Sequence, residues 1–388
     1  MRHIFLLCLM LFASVAVKAH SIGRSSSYWH VSDGGVKVDW NLSGAEAEAL
    51  VADKLADGMS LNAALSQYAS KVMNITGERQ CSVEVEQVRV KANGDYVVSL
   101  VAHNCTASSA SLSHLFESAP SHVHLAHMEN GENLLSVGKP VLEFGEGTIS
   151  ASPVEYGGLG VFHILEGFDH LAFLLALLIA VRTVKALFWC VTGFTLGHSL
   201  TLILGSLGVL DPIPEVVEPL IAFTIAFTVI ERALHVAEKP GKVFVGALMF
   251  VGALAVADYL LLQTLPLLVW AGIGLLSYCV WGAAMEAEEK QPRYMLPIVT
   301  LGFGLLHGFG FYGVLSEIGL PQTDTIWALL GFNVGVEIGQ LIFLSAALTV
   351  VWMLDKLVKE ARPVLELATS VGLVMVGMFW FAERVYLG

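Results

Sequence analysis

The stretch Leu159-Gly160-Val161-Phe162-His163-Ile164-Leu165-Glu166-Gly167-Phe168-Asp169-His170-Leu171-Ala172-Phe173 opens an apolar run that continues to Val181. A helix of about 20 apolar residues crosses ~30 Å of hydrocarbon, so the run reads as a membrane span. It also holds four ionisable side chains. At about 100° per residue, His163, Glu166 and His170 fall on one helix face, with Asp169 one step round from His170. A charge or imidazole inside a bilayer is costly unless it is paired, hydrated or bound to an ion, so such residues are functional candidates by default.

Working outward, the 388 residues are 55% hydrophobic and only 14% charged, against about 25% charged in an ordinary soluble domain. That balance excludes a disordered chain and a coiled coil. With 21 Lys and Arg against 34 Asp and Glu there is no basic face for nucleic acid. Eight spans are expected, at about 159–181, 184–207, 214–236, 243–263, 265–285, 295–316, 325–353 and 365–387. The fourth and fifth meet at a short turn, Gln263–Pro266, and read either as two crossings or as one hairpin. With residue 158 outside, ten Lys and Arg (Arg182, Lys185, Arg232, Lys239, Lys242, Lys290, Arg293, Lys356, Lys359 and Arg362) lie in inside loops. Arg384 is the exception to that positive-inside pattern.

The N-terminus reads as an address. Met1-Arg2-His3 is positive, Ile4 to Val17 is apolar or small, and Val17-Lys18-Ala19 fits a cleavage site. Residues 1–19 are therefore expected to be a secretory signal peptide, leaving His20 as the mature N-terminus. Residues 20–155 carry 16 acids and 8 bases and read as a small α+β or sandwich-like domain outside the cytoplasm, in the periplasm of a Gram-negative cell. Strands are expected at Tyr28–Val31 and Val36–Leu42. A capping box at Ser43–Glu46 starts a helix, and a second helix runs from Ser60 to Val72. Asn93-Gly94 marks a hairpin that brings Cys81 within a step of Cys105. In an oxidising compartment the two read as a disulfide. His122 and His124 are two apart on an expected strand and share a face. With His20 they form a candidate periplasmic metal-capture site; the same residues also read as ordinary surface histidines.

Other spans contribute further polar residues: His198 in span two, Glu218 in span three, His307 in span six, and Asn333, Glu337 and Gln340 on one face of span seven. Imidazole with carboxylate suits Ni²⁺, Co²⁺, Zn²⁺ or Mn²⁺, and the scarcity of thiolate argues against Cu⁺. The expected site is His163, Asp169, His170, His198, His307 and Glu337, with Glu166, Glu218, Asn333 and Gln340 in support. No Lys or Arg of span one can pair with Asp169, which makes a bound cation its expected partner. Span six has Gly302, Gly304, Gly308, Gly310 and Gly313, and span seven has Gly331, Gly335 and Gly339, which let helices approach closely.

The motifs His163-x5-Asp169-His170, Phe194-Thr195-x-Gly197-His198-Ser199-x-Thr201, Phe303-Gly304-Leu305-x-His307-Gly308-x-Gly310-Phe311 and Phe332-Asn333-x-Gly335-x-Glu337-x-Gly339-Gln340 resemble the HupE/UreJ family of membrane proteins. The resemblance implies a bacterial inner-membrane permease linked to nickel supply for hydrogenase or urease, with nickel favoured and cobalt or zinc as other cargo. The chain departs from the shorter members in spans four and five and in its secreted domain. Its expected partners are the metal ion, the lipid bilayer and a periplasmic or metalloenzyme-maturation protein. Two other readings use the same residues. One is a membrane-embedded metal-dependent hydrolase, in which a metal with an open position activates water with help from Ser199 or Glu166. The other is a non-transporting accessory protein for metalloenzyme assembly.

Overall fold

The computed structural model describes residues 24–386, apart from 33, 78–79, 93, 120–121, 130, 145–152, 211, 287–295, 319–324 and 358–360. The expected signal peptide, His20 and the Asn93 turn position lie outside the described residues. The chain divides into two compact units: His20–Gly158 with Val314–Phe332, and Leu159–Gly313 with Asn333–Gly388.

The first unit is α+β. Its strands are β1 (Arg24–Ser32), β2 (Gly35–Leu42), β3 (Asn74–Gly77), β4 (Glu84–Val90), β5 (Tyr96–His103), β6 (Ala107–Ser111), β7 (Val123–Met128), β8 (Gly131–Leu135) and β9 (Val141–Glu143). They form a six-stranded sheet in the order β4-β5-β2-β1-β7-β8 and a three-stranded sheet in the order β3-β6-β9. Alternation along β2 buries Val36, Val38, Trp40 and Leu42 on one face. Helices α1 (Gly44–Leu50), α2 (Ala52–Ala56), α3 (Leu61–Val72) and α4 (Ser113–Ser118) complete the unit. Ser43 caps α1 by accepting from the Glu46 amide at 3.2 Å. The expected single helix to Leu55 is interrupted at Val51, which closes α1 and opens α2.

Cys81 and Cys105 form a disulfide, with Cα atoms 5.8 Å apart. The hairpin register is tighter than its turn suggested: Val90 faces Tyr96, and the pairing slips again at a bulge between Val85 and Gln87. The Cys81 amide donates to the Ile75 carbonyl at 3.0 Å, so the half-cystine is tied to β3. Sequence reading missed β3, β6 and β9, whose 4, 5 and 3 residues are too few to show an apolar alternation.

The rest of the chain is helical: α5 (Pro153–Glu166), α6 (Phe168–Ala180), α7 (Val184–Ser206), α8 (Pro214–Val236), α9 (Pro240–Leu261), α10 (Leu267–Glu286), α11 (Leu296–Ile318), α12 (Thr325–Leu357) and α13 (Ala361–Tyr386). Among the described residues, four helices are long and apolar enough to cross a membrane, or five if the bent pair α5–α6 is one span. Span one is therefore not the straight helix expected. It breaks at Gly167 and turns by 71°. At the hairpin between α9 and α10, the buried Asp258 carboxylate accepts from the Thr264 and Leu265 amides and from the Trp270 indole at 2.8–3.2 Å. These bonds cap the turn and satisfy the charge, so Asp258 is structural.

Glycines set the helix contacts. A Cβ at Gly197 of α7 would collide with the Leu301 carbonyl of α11, and one at Gly304 of α11 would collide with the Phe194 carbonyl of α7. Gly193 and Gly308 make matching approaches to Pro297 and His198. The two helices thus touch backbone to backbone through small residues four apart on each. In the same way Gly339 of α12 lies against Val161 and Ile164 of α5.

Candidate metal centre

Gly167 ends α5 and serves as the N-cap of α6. A Cβ there would meet the His163 carbonyl at 2.8 Å and the His170 ring at 2.6 Å, so only glycine fits the bend. The bend stacks two turns of histidine instead of spacing them along one helix. His163 and His170 have ring centroids 4.5 Å apart and both are buried. His198 of α7 joins them, with centroids 5.8 Å from His163 and 6.2 Å from His170. Among the described residues, His163, His170 and His198 each offer one ligand atom, and these lie within 4.8 Å of one another. Two nitrogens on one Zn²⁺-like ion, each at 2.0–2.1 Å, can be no more than about 4.2 Å apart, so a small contraction would close the three on one cation.

His307 of α11 flanks this group, its ring 5.0 Å from that of His170. The Thr224 hydroxyl donates its proton to the Ile221 carbonyl at 2.7 Å. Its oxygen also lies 3.2 Å from His307 Nε2. His307 Nδ1 is buried and without a hydrogen-bond partner. His170 Nε2 is likewise buried and unpartnered. Unpaired buried nitrogens are costly, and a soft or borderline cation satisfies them. Phe173, Phe194 and Phe311 wall the imidazoles; the Phe311 ring is 3.9 Å from His163.

The supporting residues separate. Asn333 faces His198, and Gln340 is fully buried with its carbonyl accepting from the Thr195 hydroxyl at 2.9 Å. Both hold α12 against α7. Glu337 is half-buried on α12, outside the three-nitrogen group. Glu166 ends α5 half-exposed, and the Glu218 side chain is exposed on α8. Asp169 has a partner that sequence reading did not supply: Arg384 of α13, at 2.7 Å. The expectation that a cation must neutralise Asp169 is corrected accordingly. A signal for this existed, since Arg384 was the base that broke the loop-charge pattern. Ser199 donates to the Thr195 carbonyl at 2.7 Å, a bond within its own helix.

In the first unit, His122 and His124 share a face as expected, but that face is inward. Both rings are buried, and their four nitrogens are engaged. The direction of the chain follows from its ends, because an indole only donates and a carboxylate only accepts. Trp29 Nε1–H donates to Ser27 Oγ at 2.5 Å, and Ser27 Oγ–H donates to His124 Nε2 at 2.7 Å. His124 Nδ1–H then donates to Ser25 Oγ at 2.6 Å, and Ser25 Oγ–H to His122 Nε2 at 2.8 Å. His122 Nδ1–H ends the chain on Glu46 Oε1 at 2.9 Å. A network so fully satisfied leaves these rings no lone pair for a metal. Burial pushes His124 well below the usual imidazole range, and the neighbouring His122 and His127 push it the same way.

No curated protein matches the chain. Residues 143–251 and 247–384 match the family model described as HupE/UreJ protein, which takes in the whole helical region with its histidines. That family is associated with nickel and cobalt transport or with accessory roles. Since the match covers well over half of the sequence, the chain belongs to the HupE/UreJ family.

Proposed function

We propose that this protein is a permease for a divalent transition metal, nickel first and cobalt or zinc next, in the bacterial inner membrane. The observation that carries the reading is the buried group of His163, His170 and His198 with His307 beside it. Neutral imidazoles in a greasy wall are a site for a borderline cation, and His170 and His307 each present an unpartnered nitrogen. The break at Gly167 supports the same conclusion, since transporters place ion sites at interrupted helices. Metal sheds water onto these nitrogens, and helix movement then opens the site to the other side. The signal-peptide pattern and the loop charges favour a periplasmic location for residues 20–155 and entry from that side. With His122 and His124 locked inward, that domain is better suited to contact a partner than to hold metal.

A metallohydrolase is less well supported, because the Ser199 hydroxyl is spent on its own helix and Glu166 sits at a helix end. The test is uptake of radioactive Ni²⁺, Co²⁺ and Zn²⁺ into proteoliposomes, beside metal content of the purified protein. Saturable uptake lost in His170→Ala and His198→Ala is expected. Metal binding without uptake would instead indicate an accessory role.

A further inference from the structure

Asp169 is held by a residue from the far end of the sequence. Arg384, in the last turn of α13, donates Nη2–H to Asp169 Oδ2 at 2.7 Å and Nη1–H to the Glu218 carbonyl at 3.0 Å. Its guanidinium lies 5.9 Å from the centroid of the Trp380 ring. Both charged side chains are largely buried, Arg384 at 14% and Asp169 at 17% exposure. Asp169 Oδ1 is buried and has no hydrogen-bond partner. Asp169 adjoins His170 in the first turn of α6, where the helix dipole favours a carboxylate.

A guanidinium in a protein cannot shed its proton, so its positive charge is permanent. A divalent cation on the neighbouring imidazoles places like charge against it in a medium that screens poorly. One carboxylate cannot serve both fully. We propose that Arg384 is a tethered competitor of the metal for Asp169. It neutralises the carboxylate between transport events, yields it as metal docks on the imidazoles, and reclaims it to drive metal out. A permease needs release as much as capture, and an internal cation supplies release without a second ion. This inference rests on the imidazole group being the metal site.

The test uses the full-length protein in nanodiscs, with Ni²⁺ titrated by calorimetry. Arg384→Gln removes the competitor, and Ni²⁺ should bind roughly tenfold tighter or more. In uptake, KM and kcat should both fall, because release is slowed. Arg384→Lys keeps the charge but loses the two-pronged grip, and should fall between. If Arg384 merely positions Asp169, Arg384→Gln weakens binding; weaker or unchanged affinity in a folded variant overturns the proposal. Wild-type protein supplies a second readout, site-resolved labelling of Arg384 by an arginine-directed dicarbonyl. Labelling should rise when Ni²⁺ is added, and constant or reduced labelling overturns the proposal even if Arg384→Gln does not fold. A wild type that binds none of Ni²⁺, Co²⁺ and Zn²⁺ would sink the site and the competition together, whereas binding with no change in Arg384→Gln sinks the competition alone.

Discussion

Gly304→Ala tests whether the close contact of α7 with α11 positions the histidines. A Cβ at residue 304 would lie 2.8 Å from the Phe194 carbonyl carbon and 3.0 Å from the His198 amide nitrogen, with the Phe194 oxygen closer still. Ordinary van der Waals contact begins at 3.4 Å, so the helices must part by about 0.6 Å to clear the carbonyl carbon and by more to clear its oxygen. Both obstacles are backbone and cannot rotate away. The displacement falls on His198, whose ligand atom already lies up to 4.8 Å from its partners. Overpacking of this kind costs about 1–3 kcal/mol in stability. A disturbed ligand support typically costs 10–100-fold in metal affinity. Gly302→Ala is the control, two residues away on the same helix, where an added Cβ meets nothing within 4 Å. Calorimetric Ni²⁺ titration and a melting curve should show a weaker, less stable Gly304→Ala and a Gly302→Ala like wild type. Equal Ni²⁺ affinity in the two variants would refute the link between the glycine contact and the site.

Asp169→Asn leaves Arg384 without its counter-charge. It should lower the melting temperature, with a cost of about 3 kcal/mol or more, as well as metal affinity; adding Arg384→Met should restore most of the stability but not the affinity. Thiol labelling under denaturing, non-reducing conditions should miss Cys81 and Cys105 while modifying Cys190 and Cys279, and Cys105→Ser should destabilise the first unit by about 3 kcal/mol. Stability of that unit should also depend on pH through His124. The folded ring resists protonation, whereas the unfolded chain takes a proton below about pH 6.5. Stability is therefore full above that pH and declines below it, by up to about 1.4 kcal/mol per pH unit for one such group. Hydrogen exchange of β1 and β7 in the full-length protein at pH 7.5 and pH 5 should show the decline, and a His124→Gln variant with an equally steep slope would count against it.

Much was legible without coordinates because it depends on composition and short-range pattern. Apolar runs long enough to cross a bilayer, the histidine-bearing motifs and the family they resemble, the capping Ser43 and the two cysteines flanking a turn are all properties of nearby residues. Other features were decided by tertiary structure. A helical wheel placed His163 and His170 along one straight helix, whereas their 4.5 Å ring separation comes with a 71° break at Gly167. Nothing local to Asp169 indicates that its charge is met by a residue 215 positions away. Alternation located the shared face of His122 and His124 but not that the parallel partner β1 would turn it inward against Ser25 and Ser27. The physical reason is the same in each case: periodicity tells which side chains point together, but what they meet depends on backbone approach and charge pairing between segments distant in sequence.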